Sequence, residues 1–183
     1  MKLVPAGLID FDAPDALKSE KGVDYQKLRD LLRSADWEAA DKETNRVMCE
    51  VTGRQKEGWL KKENIDTFPC ADLQTIDRLW VKYSGGKFGF SVQKQIWLGV
   101  GGNPVASLDI YKIFYDHVGW YEPIKENFLM LNQVYSQQNS FSFQGGFPCI
   151  LLLWFWLMVV EEVGEDEIRE EGMRISLLSR RDL

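Results

Sequence analysis

The sequence contains few residues of the kinds that bind metals. Its 183 residues include three cysteines, Cys49, Cys70 and Cys149, and one histidine, His117. The cysteines are far apart and form no C-x-x-C pair, so we expect no zinc site. An odd number of widely spaced cysteines is typical of reduced thiols in a cytosol-like compartment, and we therefore expect a cytoplasmic protein.

The sequence also has no apolar run long enough to span a bilayer. The longest one is ILLLWFWLMVV at residues 150–160, whereas a spanning helix needs about 20 residues. We interpret this run as a buried or partner-facing helix, with contact at a membrane surface as the alternative. The first 15 residues contain two prolines and three acidic residues, and their pattern does not predict a signal peptide.

An excess of positive charge is missing as well. The formal net charge is −6 at pH 7, which argues against a general nucleic-acid-binding protein. Much of the acidity is local, because residues 161–183 contain eight acidic residues and four arginines. The rest of the chain is close to neutral, and we expect no nucleic-acid partner.

What the sequence does contain is enough apolar material for a packed core. Hydrophobic residues make up 45% of the chain and aromatic residues 13%, which suits one folded domain. Asp24 is a candidate N-cap for a helix whose apolar residues continue to Ser34, and Asp36 is a candidate N-cap for a second helix that ends at Gly53. Because the connection is short, the two helices are predicted to form an αα-hairpin.

The apolar spacing predicts three further helices along the chain. The strongest pattern runs from Asp72 to Tyr83. Ser91 is a candidate N-cap for a shorter helix that closes at Gly99. Asn103-Pro104 is typical of the start of a helix, and this one continues to Gly119. No run of alternating strands is predicted, so the fold class is all-α, a compact multi-helix domain.

Two weaker patterns complete the prediction of secondary structure. Residues 140–143 alternate serine and phenylalanine, which indicates a short extended piece. Residues 165–171 are predicted to form a charged helix near the end of the sequence.

No catalytic motif is complete in this sequence. Ser84-Gly85-Gly86-Lys87 lacks the earlier glycine and the following Ser or Thr of a phosphate-binding loop. Gly99-x-Gly101 lacks the third glycine of a dinucleotide fingerprint and follows a helix instead of a strand. His117 and Asp116 are adjacent on a helix, where neighbouring side chains do not face each other. We therefore expect neither catalytic residues nor an enzyme.

The aromatic residues have two interpretations. The seven tryptophans either build an aromatic core or line a concave apolar site for a flat hydrophobic ligand with acidic edges. Such a site combines apolar walls with a few placed polar groups, and basic side chains at its rim would pair with carboxylates of the ligand. The lysines available for that role are Lys61, Lys62, Lys82, Lys87 and Lys94.

One stretch of the chain is specific enough to indicate a family. It contains Phe68-Pro69, Asp72-Leu73 and Trp80, followed by the string Gly86-x-Phe88-Gly89-Phe90-Ser91-Val92-Gln93. Supporting residues elsewhere are Asp24-Tyr25, Leu28, Leu31-Leu32, Trp37, Ala40-Asp41, Thr44, Trp59-Leu60 and Val118-Gly119-Trp120. Across residues 23–143 this pattern resembles the tetrapyrrole-binding "genomes uncoupled four" (GUN4-like) domain family of cyanobacteria and plastids.

The resemblance implies an all-α fold shaped like a cupped hand, whose palm binds protoporphyrin IX or Mg-protoporphyrin IX. It further implies a non-catalytic protein that regulates magnesium chelatase in chlorophyll biosynthesis, with a subunit of that enzyme as partner. No obligatory cofactor and no bound metal are implied. From the same resemblance we expect a cytoplasmic protein of a photosynthetic cyanobacterium, with peripheral contact at thylakoid membranes.

The resemblance also implies where a tetrapyrrole would bind. The palm includes the segment after Trp59-Leu60, which carries over Lys62 and Ile65. Phe88 and Phe90 belong to the specific string, and they either contact the ligand or pack the helix at 72–83 against the next helix. The full set of candidate ligand-binding residues is Lys62, Ile65, Phe88, Phe90, Trp97, Trp120 and Phe141.

Three regions follow from these patterns. Residues 1–22 are predicted to be a leader or linker, residues 23–148 the GUN4-like helical domain, and residues 149–183 an apolar segment with an acidic tail that diverges from the family. Gln144-Gly145-Gly146-Phe147-Pro148 stands where the family has A-P-x-G-H-L-P. An alternative function is therefore a signalling or protein-interaction module of the same fold, without tetrapyrrole binding, that uses the apolar run as an interface.

Overall fold

The computed structural model of the protein describes residues 14–103, 105–122, 127–129, 131–138, 143–149 and 177–183. Within these ranges the regular structure is almost entirely helical, and the strands amount to one pair of two residues each. The prediction of an all-α fold is confirmed. Of the helices in the described ranges, none is both long and apolar enough to cross a membrane.

The first two helices form the predicted hairpin. Helix α1 covers Gln26–Arg33 and helix α2 covers Trp37–Thr52. The Asp36 carboxylate accepts a hydrogen bond from the Ala39 N–H at 3.2 Å, as the side chain of a helix N-cap does. Helix α2 ends at Gly53, which has a φ of 70°, a left-handed conformation that glycine adopts without strain.

The predicted cap of α1 lies one residue away from the observed N-cap. The N-cap position is Tyr25, and the Asp24 carboxylate accepts a hydrogen bond from the Gln26 N–H at 2.8 Å. Asp24 thus still binds a free N–H at the start of the helix, although it does so from just outside the helix.

Helices α3 and α4 follow a polar connection. Helix α3 covers Lys62–Asp66, a single turn that has no apolar period and was not predicted. Helix α4 covers Cys70–Tyr83 and contains the predicted segment 72–83. It begins directly after Pro69, whose ψ of 135° is extended and whose missing N–H excludes it from the helix interior.

The start of α5 differs from the prediction. Helix α5 covers Phe90–Gly99, so Ser91 lies inside the helix and is not its N-cap. The carboxylate of Asp77 on α4 instead accepts a hydrogen bond from the Ser91 N–H at 2.9 Å. The cap is supplied by a neighbouring helix, and a local sequence pattern cannot show such a contact.

Helix α6 begins later than predicted. It covers Leu108–His117 with Ser107 at the N-cap, instead of starting at Asn103-Pro104. The Asn103 side-chain oxygen accepts a hydrogen bond from the Val105 N–H at 2.9 Å, and its carbonyl accepts one from the Ala106 N–H at 3.1 Å. These bonds form a turn of the kind that asparagine favours and delay the helix.

A short strand pair and a last helix follow α6. Strand β1 covers Tyr121–Glu122, strand β2 covers Asn127–Phe128, and the two pair antiparallel with Tyr121 opposite Phe128. Helix α7 covers Leu131–Gln138. The extended piece predicted at 140–143, except residue 143, the apolar run at 150–160 and the charged helix predicted at 165–171 lie outside the described residues.

Residues 14–22 lie against α4 without forming a helix. The buried side chain of Asp72 is the centre of this contact. Its carboxylate accepts hydrogen bonds from the Ser19 hydroxyl at 2.5 Å, the Glu20 N–H at 2.8 Å and the Tyr25 hydroxyl at 2.7 Å. A buried carboxylate needs such donors to offset its lost hydration. The boundary predicted at residue 22 stays a prediction, while residues 14–22 are docked on the helical domain.

Asp15 fixes the beginning of the same segment. Its carboxylate accepts hydrogen bonds from the Lys82 ammonium at 2.8 Å and from the Tyr83 hydroxyl at 2.7 Å. Burial raises the pKa of Asp15, but the hydrogen bonds from Lys82 and Tyr83 outweigh burial and hold the pKa below its ordinary value of 3.8. Burial and the bond to Asp15 raise the pKa of Tyr83 to about 12.

A group of aromatic rings, hereafter the aromatic cluster, forms the centre of the core. Trp80 on α4 stacks with Phe147 at 5.7 Å between ring centroids and with Trp37 on α2 at 6.2 Å. Phe88 stands edge-on to Phe147 at 5.1 Å, and Tyr135 on α7 stacks with Phe147 at 6.1 Å. Segments that are distant in sequence therefore meet at these rings.

The specific string needs glycine at position 89 because α4 and α5 approach closely there. Gly89 has a φ of 132°, and a Cβ atom would lie 2.8 Å from Val81 Cγ2 and 2.9 Å from Asp77 Oδ1. The Gly89 N–H also donates to the Phe147 carbonyl at 2.9 Å. Any other residue would combine an unfavourable backbone conformation with a collision at the carboxylate that caps α5.

We expect Gly89→Ala to lower the free energy of unfolding by about 3 kcal/mol, because backbone strain and the collision add. Urea unfolding measures the loss. Gly53→Ala tests strain alone, since that site has a positive φ and open space, and should cost about 1 kcal/mol. Gly99→Ala, in open space at the end of α5, should change stability by less than about 0.5 kcal/mol. Equal losses in all three variants would contradict the close approach.

We expect the contact of residues 14–22 with α4 to weaken in acid. A carboxylate with a lowered folded-state pKa stabilises the fold above its unfolded pKa and loses that contribution as pH falls through the folded value. For Asp15 the loss therefore begins below about pH 4. Hydrogen-exchange protection factors of residues 14–22 measure it. Asp15→Asn should show the weakened contact already at pH 7, and an acid transition that persists in this variant would assign the effect to another group.

Candidate functional site

Two of the predicted ligand residues lie on α3. The Lys62 side chain is 46% exposed and forms an ion pair with Asp66 at 2.5 Å. Ile65 is fully buried. Helix α3 therefore presents a cation to solvent and an apolar side chain to the core, as an amphipathic turn on a protein surface does.

Two further candidates belong to the specific string. Phe88 and Phe90 are fully buried. Phe88 is a member of the aromatic cluster, 5.3 Å from Trp37 and 6.2 Å from Trp80 between ring centroids. Its ring packs the connection before α5 against α2 and α4.

A second aromatic cluster contains Trp97 and Trp120. Trp97 on α5 lies 4.8 Å from Tyr111 and 5.6 Å from Phe114 on α6. Phe114 lies 6.0 Å from Trp120, the residue before β1. Both tryptophans are buried. These rings join α5 to α6 and to the short strand pair.

The last candidate, Phe141, lies outside the described residues. Of the six others, two lie on α3, Phe88, Trp97 and Trp120 belong to the two aromatic clusters, and Phe90 is buried at the start of α5. Lys62 is the one of these six with an exposed side chain. Their role in binding a ligand stays a prediction.

Residues 145–149, hereafter the 145–149 turn, are all buried. Four consecutive carbonyls of this turn accept hydrogen bonds, because polar backbone groups in a core need partners. Residues of the family string and of the V-G-W motif supply the donors. These bonds run from Gln93 Nε2 to Gly145 O at 3.0 Å and to Pro148 O at 2.9 Å, from Trp120 Nε1 to Gly146 O at 2.9 Å, and from the Gly89 N–H to Phe147 O at 2.9 Å.

Asp41 fixes the 145–149 turn from the side of α2. Its side chain is fully buried. Oδ1 accepts a hydrogen bond from the Cys149 N–H at 3.0 Å, while Oδ2 accepts one from the Cys149 thiol at 2.9 Å and one from the Tyr135 hydroxyl at 3.1 Å. One carboxylate thereby joins α2, α7 and the 145–149 turn.

These surroundings keep the buried thiols and phenol in their neutral forms. Burial and the charge of Asp41 raise the pKa of the Cys149 thiol well above its ordinary value, and the same causes raise the pKa of the Tyr135 hydroxyl. Burial raises the pKa of Cys49 to about 11. Because the thiolate is the nucleophilic form of cysteine, neither thiol is activated for catalysis at neutral pH.

Metal binding has no support in the part of the chain that the structure describes. No group of three or more His, Cys, Asp or Glu side chains there could hold a metal ion. The described side chains form an aromatic scaffold, and Lys61 and Lys62 are exposed at its surface.

Residues 177–183, hereafter the strap, lie against α3, α4 and α5. Leu177, Leu178 and Leu183 belong to the hydrophobic core. The Arg180 guanidinium donates a hydrogen bond to the Ile65 carbonyl at 2.8 Å. The strap therefore contacts the helix that carries two of the candidate residues.

The sequence analysis named Asp41 and Gln93 in the family pattern without assigning either a structural role, and it did not single out the strap. The role of Asp41 could have been inferred, since a carboxylate beside the apolar stripe of α2 either caps another helix or accepts hydrogen bonds from buried donors. For Gln93 the string gave the residue but not its partners, because these are main-chain carbonyls far along the chain. The leucines of the strap were visible, but nothing in their spacing indicates α3 as their partner.

The chain matches a family model described as GUN4-like over residues 18–158. It is 40% identical over 121 residues to "Uncharacterized protein ycf53" of Porphyra purpurea, a match that covers 65% of this chain and 45% of that protein. It is 38% identical over 78 residues to "Tetrapyrrole-binding protein, chloroplastic" of Arabidopsis thaliana, covering 42% of this chain and 29% of that protein. The matched regions span less than half of these relatives.

Solved structures show the same fold. The ligand-free structure of Arabidopsis thaliana GUN4 has a TM-score of 0.63 and 23% identity, with 90% of this chain and 97% of that chain covered. The structure of GUN4 from Chlamydomonas reinhardtii has a TM-score of 0.61 and 20% identity, with 91% and 93% covered. At these identities the similarity concerns the fold alone.

We expect Asp41→Ala to lower the free energy of unfolding by about 3 kcal/mol, because it removes the acceptor of the Cys149 N–H and of the Tyr135 hydroxyl inside the core. Urea unfolding measures the loss. Tyr135→Phe removes one of the donors and should cost about 1 kcal/mol. The control is Asp30→Ala, whose side chain is 61% exposed and which should change stability by less than about 0.5 kcal/mol. A loss at Asp41 no larger than at Asp30 would contradict its role.

Proposed function

Because this chain belongs to the GUN4-like family, we propose that it is a non-catalytic tetrapyrrole-binding protein. The observation that carries the proposal is the match to the family model over residues 18–158. The Arabidopsis relative that is named a tetrapyrrole-binding protein supports it. The proposed ligand is protoporphyrin IX or Mg-protoporphyrin IX.

We place the ligand at α3 and the segment before it. Trp59 is partly buried, and the Arg54 guanidinium lies 4.9 Å from the centre of its ring. Lys61 and Lys62 are exposed. A partly exposed aromatic ring with cations next to it in the sequence suits a flat apolar macrocycle that carries carboxylates. Lys62 is the proposed partner of a ligand carboxylate.

The other candidates are proposed to contact the ligand after movement of core side chains. In the described structure they are covered by the chain's own atoms, so a macrocycle would have to displace those atoms. The candidates in this group are Ile65, Phe88, Phe90, Trp97 and Trp120. For Phe141 a ligand contact is proposed from the family resemblance alone.

We further propose that the ligand-bound protein regulates magnesium chelatase in chlorophyll biosynthesis. A subunit of that enzyme is the proposed partner, and a cytoplasmic position at the surface of thylakoid membranes is the proposed location. Relatives named as a chloroplastic protein of Arabidopsis thaliana and a Ycf53-like protein of Synechocystis support this setting. Because the chain spans less than half of these relatives, the proposal concerns the domain that they share.

A second candidate function is a signalling or protein-interaction module that does not bind tetrapyrrole. The observation that favours it is the burial of five of the six described candidate residues. The apolar sequence at 150–160 would then serve as an interface with a partner protein. Both functions are compatible with the same helical scaffold.

We expect the protein to bind deuteroporphyrin at micromolar concentration, with saturable quenching of tryptophan fluorescence and a shift of the Soret band. Lys62→Ala should weaken binding about fivefold, since an exposed charge pair contributes up to about 1 kcal/mol. Lys42→Ala is the matched control, because Lys42 forms the same kind of i,i+4 ion pair, with Glu38 at 2.7 Å. This variant should leave the affinity unchanged.

The titration also separates the two functions. No saturable change at micromolar ligand would overturn tetrapyrrole binding and favour the interaction module. If Lys62→Ala and Lys42→Ala weakened deuteroporphyrin binding equally, the proposed position of the site at α3 would be wrong. Saturable binding without any effect on the rate of magnesium chelatase would leave the ligand in place and overturn the regulatory role.

A further inference from the structure

The strap is far from α3 in sequence and lies against it in the fold. Leu177, Leu178 and Leu183 are 0%, 5% and 6% exposed, so the strap is docked through side chains that gain free energy by burial. Side chains of α4 and α5 also bind its main chain. These contacts run from Gln74 Nε2 to Asp182 O at 3.3 Å, from Lys94 Nζ to Leu183 O at 3.4 Å, and from Lys94 Nζ to Arg180 O.

Arg180 makes the contact between the strap and α3. One guanidinium nitrogen donates to the Ile65 carbonyl at 2.8 Å. Two others bind the Asp182 carboxylate at 2.9 Å and 2.7 Å. The Arg180 and Asp182 side chains are 11% and 19% exposed, so solvent screens this pair weakly. A bidentate pair of this kind fixes the plane of the guanidinium, and with it the position of the third nitrogen, Nη1, which donates to Ile65.

Helix α3 depends on such outside contacts. It has five residues, and a single helical turn is unstable by itself because nucleation is unfavourable. The Ile65 carbonyl lies in its last turn and also accepts a hydrogen bond from the Phe68 N–H at 3.2 Å. Arg180 adds a second donor and a positive charge at the end of the helix, where the helix dipole favours a cation.

We propose that Arg180 is a positioning residue for the tetrapyrrole site: it holds α3, and with it Lys62, so that docking of the strap and binding of the ligand strengthen each other. This inference rests on the proposed function. Arg180 is not proposed to touch the ligand, since each of its three nitrogens binds a group of this chain, Ile65 or Asp182. Its effect on affinity comes through the position of α3.

The coupling between strap and ligand can also be measured through docking of the strap. If the docked strap raises the affinity for the ligand, the ligand must favour docking of the strap by the same factor. Cys70 reports docking because it is exposed, whereas Cys49 and Cys149 are buried. The Cys70 sulfur lies 3.5 Å from an Arg180 nitrogen, and its hydrogen bond with Asp182 raises the pKa of the thiol.

The test uses the full chain with Arg180→Ala, and with Arg181→Ala as the matched control, because Arg181 is the exposed neighbour on the same strap. We expect Arg180→Ala to weaken deuteroporphyrin binding about tenfold, within the usual range of couplings between sites. Arg181→Ala should leave the affinity unchanged. Arg180→Lys keeps the charge but loses the planar fork, and should give an intermediate affinity.

The second measurement is the rate at which a disulfide reagent modifies Cys70. The Cys70→Ser variant shows which part of the total reaction comes from this thiol. Release of the strap removes Asp182 from the thiol, so Arg180→Ala should speed the reaction. If the strap stayed docked, loss of the nearby guanidinium would instead raise the pKa of Cys70 and slow the reaction. In the unaltered protein, saturating deuteroporphyrin should slow modification of Cys70.

Three outcomes would overturn the inference. If Arg180→Ala binds deuteroporphyrin as tightly as the unaltered protein, the positioning role is wrong and the proposed function stands. If the unaltered protein does not bind deuteroporphyrin, the proposed function is wrong, and a faster Cys70 reaction in Arg180→Ala then describes strap docking alone. If affinity falls while the Cys70 rate is unchanged and urea unfolding shows a general loss of stability, Arg180 has a structural role only.

Discussion

The fold depends on one constraint, the need of the buried 145–149 turn for hydrogen-bond partners. Each of its carbonyls would cost roughly 1–3 kcal/mol if left unpaired in the core, and four consecutive carbonyls are buried there. Gly89, Gln93 and Trp120 meet this need, and Asp41 binds the end of the turn. Because Phe147 stacks with rings of α4 and α7, the irregular turn joins helices that are distant in sequence.

The same constraint explains the string that indicates the family. Gly89 is required because a side chain there would collide with the Asp77 carboxylate. Phe88 fills the space among the rings of the aromatic cluster, and Gln93 binds two carbonyls of the turn. These residues build the scaffold, and their packing and hydrogen bonds explain their presence in the string without a ligand. A resemblance based on the string therefore supports the fold more directly than it supports a binding site.

An element could be predicted from the sequence where the residues that determine it are its neighbours along the chain. The hairpin was predicted because Asp36 and Gly53 act on the residues next to them. The start of α5 was not, because its cap, Asp77, comes from another helix. Helix α3 was missed because one turn has no period. The candidate site residues could be named from the family pattern, but their burial could not, since an apolar spacing is the same for a core and for a pocket wall.

A buried aromatic ring can contact a ligand only if its packing in the core is disrupted. The exposed groups around α3, Lys61 and Lys62, therefore matter most for the proposed function. Helix α3 has little stability of its own, and its position is set by its neighbours, Arg180 among them. The string at 86–93 and the 145–149 turn are not involved in that contact. We therefore expect changes in residues 177–183 to alter the proposed site at α3 while the scaffold built on the string and the 145–149 turn stays intact.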